Sequence, residues 1–580
     1  MFRSINALYV ILIVLAVFGL GLWGYSLCPA DVPACVVPDW QERLTSAVKL
    51  FLRASGEYPY PHPPWQIIVA RYVGPYVIPF VAVLAAAKVA IDNMRRDVRV
   101  ALARGKRRHF IVCGLGETGM QIVQNLCDAD ESVVVVDLKG DSANAAAVER
   151  QKIPVLRGDA AKPAVLRQAG LMRASAVIVC TGKDTVNADI ALRIRETATR
   201  RRTERLGHLT VLLELRDEWL FTKLIEHDRE ALGTESVEIR PFNVYENAAR
   251  LLIRGLSPQP ARDGHAKPLL IFGFGRMGRE TALHALRAAP VPLGKRPQLV
   301  VFDKDAKALG RRFRAANPMV ADFADMEFIQ ADPESEAPEA WKTVEAKLDA
   351  VKPLAVAVCF PDDHSSLYVA LEVRARLDRR GQFGAPLFVR LQQHQRLGAF
   401  AAHIERLEQY QDRLGVFGAL EDMLTHDILV GARLDALAAA HHRYYIEQKG
   451  AAAGSNPAAQ PWRLLPEQYR VSNRRQADHI GVKLAQIGLK LEPAATPSPF
   501  KFSDDEIDLL AQLEHRRWTI ERQLLGWTYG PTRDDGRRLN PYLVDWKRLP
   551  DEVRNYNRDA VKAMPKILAS AGFEIRRDAH

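Results

Sequence analysis

His109-Phe-Ile-Val-Cys-Gly-Leu-Gly-Glu-Thr-Gly-Met120, followed by a helical run and then Ser132-Val-Val-Val-Val-Asp137, is the stretch that decides the fold. A short β-branched strand runs into a turn carrying Gly114, Gly116 and Gly119. Met120, Ile122, Val123 and Leu126 then recur at helical spacing, and a second strand from Val133 to Val136 ends on Asp137. In such a unit Gly114 permits the tight turn, Gly116 lets a diphosphate approach the backbone, and Gly119 lets helix and strand pack closely. The new helix, with Glu117 and Thr118 in its first turn, offers free N–H groups and the positive end of its dipole to an anion. Asp137 stands where a carboxylate accepts both ribose hydroxyls. The pattern points to a bound nucleotide; the plainer reading is a glycine turn kept for helix–strand packing alone.

Working outward, strand and helix keep alternating. Ile153 to Leu156 reads as a strand ending in Arg157-Gly158-Asp159-Ala160, and a helix through Leu166 closes at Gly170. Ala176 to Cys180 is the next strand, leading through Thr181-Gly182-Lys183-Asp184 to a helix from Asn187 to about Thr197. Leu209 to Leu215 is another strand, and Arg200, Arg201 and Arg202 fall in the loop before it. Alternation at this spacing implies a parallel sheet with helices on both faces. The unit then repeats. Leu269-Leu-Ile-Phe-Gly-Phe-Gly-Arg-Met-Gly278 restates the glycine pattern, Leu299 to Phe302 ends on Asp303, and Phe328-Ile-Gln-Ala-Asp332 answers the Arg-Gly-Asp. Ala355 to Phe360 and Leu387 to Leu391 answer the later strands. This ordered correspondence is a tandem duplication. Gly273, Gly275, Arg276, Met277, Gly278, Asp303 and Asp332 are its candidate site, although Pro333 departs from the first copy. A degenerate copy kept for packing is the other reading.

Gly-Leu-Gly-Glu-Thr-Gly, the strand-ending Asp137, Gly158-Asp159-Ala160, Leu166-Arg-Gln-Ala-Gly170 and Cys180-Thr-Gly-Lys-Asp-Thr-Val-Asn187 resemble the RCK domain, also called TrkA-N, over about Lys106 to Ile253. The resemblance implies a Rossmann-like fold binding NAD(H) or an adenine nucleotide at Gly114, Gly116, Glu117, Thr118, Gly119 and Asp137, with Asp159 near the adenosine. A carboxylate capping the next helix is the alternative for Asp159. The resemblance further implies coupling of that ligand to a potassium channel or transporter. Tandem copies in this family assemble as a ring of eight domains from four chains, so a homotetramer is expected.

Upstream, Ala7 to Tyr25 is apolar and uncharged, close to the roughly 20 residues that span a bilayer. A cleaved signal peptide is the competing reading. Tyr72 to Ala87 is a shorter candidate span, kinked by Pro75 and Pro79 and bracketed by Arg71 and Lys88. The basic run Arg95, Arg96, Arg99, Arg104, Lys106, Arg107 and Arg108 follows it. By the positive-inside rule both termini lie in the cytoplasm, and the family resemblances imply a bacterial inner membrane. Between the spans, Trp40 to Ser55 carries Leu44, Val48 and Phe51 at helical spacing before the rigid turn Gly56-Glu57-Tyr58-Pro59-Tyr60-Pro61. That layout suits a two-span pore or a two-helix anchor, and without a TVGYG-like run it gives no support to potassium selectivity. Cys28 and Cys35 stand close together after a hydrophobic segment and could pair in an oxidising compartment; the sequence leaves paired and free thiols both open. Cys113, Cys127, Cys180 and Cys359 are dispersed as buried thiols, with no metal-binding spacing.

At the other end, Gly450-Ala-Ala-Ala-Gly-Ser-Asn-Pro-Ala-Ala-Gln-Pro461 reads as a linker. Beyond it, Leu513-Glu-His-Arg-Arg-Trp518, Gly526-Trp-Thr-Tyr-Gly530, Arg533-Asp-Asp535 and Asn540-Pro-Tyr542 resemble the RyR domain over roughly Trp462 to Leu568. An all-helical domain that senses a nucleotide-derived signal is implied. Tryptophans beside arginines suit a planar anionic ligand, with Asn473, Arg474, His515, Arg522, Tyr529 and Arg533 as candidate contacts. Core aromatics of a small bundle are the alternative for Trp518, Trp527 and Tyr529.

The expected architecture is therefore α/β with two transmembrane helices. A membrane domain covers 1–91 and a basic linker 92–108. A first doubly wound RCK domain covers 109–256, a linker 257–267, a second copy 268–448, a linker 449–460 and an RyR domain 461–580. A net charge of +11 over 580 residues favours an anionic partner such as nucleotide or phospholipid. No basic and aromatic cluster singles out nucleic acid. The leading expectation is a nucleotide-sensing membrane protein whose ligand gates ion flux, with a stress or anti-phage effector or a separate transporter partner as specialisations. A poreless membrane scaffold is the second class. A nicotinamide-dependent oxidoreductase is the third, disfavoured because only a helix and a linker separate the nucleotide folds and His265 and His364 are isolated.

Overall fold

Two runs of six or more β-rich segments, each with a glycine turn after its first strand, build two largely parallel sheets. The computed structural model describes residues 7–28, 35–51, 58–77, 79–83, 86, 108–139, 142–199, 208–217, 233–234, 237–256, 267–392, 414–429, 435–449, 457–462, 464–494 and 496–577. The basic run from Arg95 to Arg107, the loop arginines Arg200 to Arg202, His265, the turn residues Gly56 and Glu57, the last residue of the second candidate span and most of both linkers lie outside them. The chain divides into two units, Met1–Leu102 and Ala103–His580.

In the first unit Ala7–Tyr25 is helical over 19 residues, and Cys28 and Cys35 are joined by a disulfide. Asp39 starts the helix Trp40–Phe51 by accepting the Glu42 N–H at 2.7 Å. The second candidate span begins earlier than the sequence suggested. The helix runs Trp65–Val83, because Pro63 and Pro64 complete the preceding turn and the Ile67 N–H donates to the Pro64 carbonyl. It is the one described helix long and apolar enough to cross a membrane, while Val14–Tyr25 is a shorter apolar stretch. Val17, Tyr25, Leu50, Ile67, Ala70 and Val77 form the core of this unit, and Tyr72, Tyr76, Phe80 and Val83 are exposed.

In the second unit β1 (Phe110–Cys113), β2 (Val133–Asp137), β3 (Val155–Arg157), β4 (Ala176–Val179), β5 (Leu209–Glu214), β6 (Gly233–Thr234) and β7 (Val237–Phe242) form a sheet of order β3-β2-β1-β4-β5-β7-β6. All neighbours are parallel except the edge strand β6. The copy contains β8 (Leu269–Phe272), β9 (Gln298–Asp303), β10 (Asp325–Gln330), β11 (Ala355–Val358), β12 (Leu387–Arg390) and β13 (Leu414–Phe417), in the order β10-β9-β8-β11-β12-β13. Strands β1, β4, β8 and β11 are buried along their whole length, as a sheet covered on both faces requires. Strands β7 and β13 were not foreseen from sequence; both lie beyond the last strand the duplication pattern reached.

The helices Val244–Gly255 and Arg276–Ala288 cross between the copies, and one apolar core runs from Phe110 and Val135 through Leu252 and Ala285 to Leu299 and Ala357. The C-terminal region packs the helices Ala436–Lys449, Glu467–Ala485, Asp504–Leu524 and Asp551–Ser570 around Leu484, Leu510, Leu513 and Leu568. It is not all-helical: Leu489–Pro493 pairs antiparallel with Phe573–Arg577. Leu489, Leu491 and Ile575 alternate there with Lys490, Glu492, Glu574 and Arg576, a period-two pattern too short and too charged to stand out in the sequence. Ser503 and Glu506 form a capping box that starts the helix Asp504–Leu524.

Candidate functional site

In both sheets the strand order reverses between the first and fourth strands of the copy, so a crevice opens at the C-terminal ends of β1/β4 and β8/β11. The glycine turns sit in these crevices. Gly114 has φ +100°, and a Cβ there would lie 2.7 Å from the Cys180 carbonyl oxygen. A Cβ on Gly119 would lie 2.0 Å from the Gly114 oxygen, and one on Gly278 2.1 Å from the Gly273 oxygen. At Gly116 and Gly275 a Cβ would meet nothing within 4 Å. The outer glycines are therefore demanded by the fold itself, while the middle one borders open space. Gly116 and Gly275 are also the N-cap residues of their helices, with no side chain to cap them. The first-turn N–H groups thus remain for a ligand.

The strand-ending acids lock the same geometry in both copies. Asp137 accepts the Leu115 N–H through Oδ2 at 2.8 Å and the Lys139 N–H through Oδ1 at 2.8 Å. Asp303 accepts Phe274 N–H at 2.7 Å and Asp305 N–H at 2.8 Å. Each carboxylate oxygen has a second lone pair, so ribose hydroxyls can be added to these bonds. Asp159 accepts the Ala161 N–H through Oδ1 at 2.9 Å, a local turn ahead of the helix Pro163–Gln168. Asp332 is exposed at the equivalent position, followed by the buried Pro333. Thr118 turns inward, its hydroxyl donating to Glu214 at 3.2 Å, and Met277 is buried in the shared core. These two offer backbone to a ligand.

A cavity of about 490 Å³ joins the two glycine turns. Glu117 and Thr118 of the first copy and Gly275, Arg276 and Met277 of the second line it, together with Arg216, Tyr245, Arg390 and Gln392. Arg216 donates to the fully buried Glu214 at 3.0 Å. Burial opposes the charge of Arg216, but Glu214 outweighs it and raises the pKa further. Arg390 donates to the Phe360 carbonyl at 2.7 Å and to the Gln392 side chain at 3.1 Å, and Gln392 in turn donates to the Glu117 carboxylate across the two copies. Sequence reasoning missed Arg216, Tyr245, Arg390 and Gln392. The available signal was the match of Leu213-Glu214-Leu215-Arg216 to Val389-Arg390-Leu391-Gln392 at the ends of β5 and β12.

The C-terminal candidates separate into two groups. Arg474 is tied to Asp435 at 2.8 Å and to Glu467. His515 holds the Val544 carbonyl at 2.8 Å and stacks on Trp518; burial lowers its pKa. Asn473 donates to the Tyr469 carbonyl one turn earlier in its own helix. Arg522, by contrast, lies over the rings of Trp518 and Trp527 at 5.8 and 5.4 Å, and its Nε has no hydrogen-bond partner. Arg533 and Tyr469 are close enough to influence it. Arg533 is paired to Asp535 at 2.7 Å on the surface, and Tyr529 is exposed. Among the described residues no group of His, Cys, Asp and Glu is arranged to hold a metal ion.

Residues 110–212 match the TrkA-N domain and residues 503–577 match the RyR domain. A protein of Methanothermus fervidus, described as uncharacterized, is 33% identical over 90 residues, a match spanning 16% of this chain and 14% of that relative. Among solved structures, GsuK bound to ADP is 14% identical over 73% of this chain and 97% of that chain, with a TM-score of 0.39. The GsuK channel bound to NAD is 12% identical over 74% of this chain and 84% of that chain, also with a TM-score of 0.39.

Proposed function

We propose that this chain is a membrane-anchored sensor of NAD(H) or an adenine nucleotide, regulatory rather than catalytic, in which occupancy of the cytoplasmic unit controls ion flux. One observation carries the nucleotide reading: the open face over Gly116, beneath an uncapped helix start and beside the strand-ending Asp137. The TrkA-N match spans the glycine turn, Asp137 and Asp159. The membrane part of the reading is supported by the helix Trp65–Val83 and its exposed aromatic face, with the first span, the homotetramer and a pore as further parts of the proposal. The frame of Trp518, Arg522 and Trp527 is the corresponding candidate for a second, planar anionic signal in the RyR domain.

The test is mass spectrometry of the ligand retained by purified full-length protein, compared with D137A and D303A. Release of a nucleotide from wild type and its loss from the variants supports the reading. Undiminished retention in both variants removes the ribose role assigned to the acids.

A further inference from the structure

The duplication can be aligned through hydrogen-bonded register as well as through sequence. Val177 pairs with Val211 in the first sheet, and Val356 with Leu387 in the second. With β4 and β11 equivalent, Glu214 and Arg390 occupy the same place at the ends of β5 and β12. At the glycine turns Glu117 and Arg276 are equivalent, each the first residue of its helix. Both pairs reverse charge: the first copy presents two carboxylates where the second presents two guanidiniums.

The balance of charge is also unequal. Glu214 is answered by Arg216 at 3.0 Å. Arg390 is 7% exposed, and among the described residues it has no carboxylate partner; its Nε has no hydrogen-bond partner at all. Arg276 is exposed on the cavity wall and has no ion pair among the described residues. A guanidinium buried without a counter-charge is costly, and this one lines a cavity that opens at the N-terminus of the helix Arg276–Ala288, whose dipole favours anions. Glu117 shares that wall and is held by Gln392.

We propose that the two turns select different ligands. The second turn binds a nucleoside triphosphate, with the terminal phosphates in the cavity between the turns, on Arg276 and Arg390. The first turn, which starts with Glu117 and whose buried Glu214 is answered by Arg216, takes a dinucleotide that has no free terminal phosphate. The proposal rests on reading the glycine turns as nucleotide sites. A terminal phosphate at the first turn meets the Glu117 carboxylate, Arg216 there being answered by Glu214, whereas at the second it gains charge-assisted hydrogen bonds.

Equilibrium dialysis of the full-length protein in detergent, with ATP, NAD and inorganic triphosphate as separate probes, tests this. R276E is the main variant because Arg276 is exposed and makes no contact the fold needs; an unchanged thermal melt checks that it folds. The expected result is an ATP affinity weakened about tenfold or more, the scale of one charge-assisted contact, with NAD affinity unchanged and R276K close to wild type. E117Q is expected to tighten ATP. D303A is expected to weaken ATP but not inorganic triphosphate if the nucleoside is read at this turn. Equal loss of ATP and NAD in R276E, or no loss of either, overturns the proposal while leaving the turns as nucleotide sites. Wild type that binds NAD but not ATP also overturns the proposal, and wild type that binds neither overturns the nucleotide reading itself.

Discussion

At the scale of single residues, the three glycines of one turn do different work, and substitution separates them. Alanine at Gly119 places a Cβ 2.0 Å from the Gly114 carbonyl, between two rigid pieces of backbone. Helix and strand must move apart, at a cost of about 3 kcal/mol or more by analogy with overpacked cores. G119A should therefore lower the melting temperature and lose ligand together. Gly116 has φ −72°, a conformation open to alanine, and empty space beyond it. G116A should change stability by no more than about 0.5 kcal/mol yet weaken nucleotide binding about tenfold or more, because the methyl group occupies the approach of the diphosphate. Equal effects of the two substitutions on stability would contradict the division between structural and ligand-facing glycines. Titration adds a second residue-scale expectation. Burial, and then Arg287, lower the pKa of His284 to about 3, and burial lowers that of His441 to about 4. Below the ordinary value near 6.5 the unfolded chain takes up protons that these folded sites refuse, so stability rises with pH between the folded and unfolded values. Acidification from pH 7 to 5 should lower the melting temperature of the second unit. H284Q should flatten that slope, by up to about 2 kcal/mol over the window.

At the scale of elements, the C-terminal helices are bolted to both copies by charge. Arg250, on the helix between the copies, donates to Asp478 at 2.7 Å and lies 3.8 Å from Asp435. Arg470 reaches Glu238 of the first copy at 3.1 Å. Arg516 donates to the Val291 and Pro292 carbonyls of the second copy at 2.6 and 2.9 Å. Removing one member of a buried pair strands the other, at about 3–5 kcal/mol. R250A should therefore split or lower the thermal transition of the second unit, and the double variant R250M/D478M should recover part of the loss. A double variant no more stable than R250A would show that the pair is not what docks the helices. These bolts explain what the sequence could and could not reveal. The glycine turns, Asp137 and Asp303 were legible because local spacing alone dictates them. Arg390 and Gln392 were not, since their match to Glu214 and Arg216 shows equivalence but not that the parallel register of β11 and β12 brings them to the mouth of the second turn. Arg474 read as a ligand contact because an arginine in a polar helix gives no sign of its partners, and only the fold places Asp435 and Glu467 beside it. The small C-terminal sheet was hidden by the distance in sequence between its strands.

At the scale of the whole molecule, the sensor reading requires that ligand affinity differ between two arrangements of the membrane helices. A ligand shifts such an equilibrium only by that difference, and a tenfold preference supplies about 1.4 kcal/mol. Full-length protein in liposomes loaded with an ion-sensitive dye should leak at a rate that changes when nucleotide is present on the side holding the second unit, and the change should vanish in D137A. The cysteines report which side that is. Cys28 and Cys35 form the disulfide of the first unit, whereas Cys113 and Cys359 are buried in the second, where burial pushes both thiols up to about 12. A membrane-impermeant reductant and alkylating agent added outside intact cells should label Cys28 and Cys35 and leave the buried thiols unmodified until the protein is denatured. Labelling only after permeabilisation would place the disulfide on the inside and reverse the orientation drawn from the basic run. With the orientation known, vesicles that bind nucleotide but show no change in leak would leave the chain a ligand-binding anchor, because occupancy would then have no differential contact with the two states to exploit.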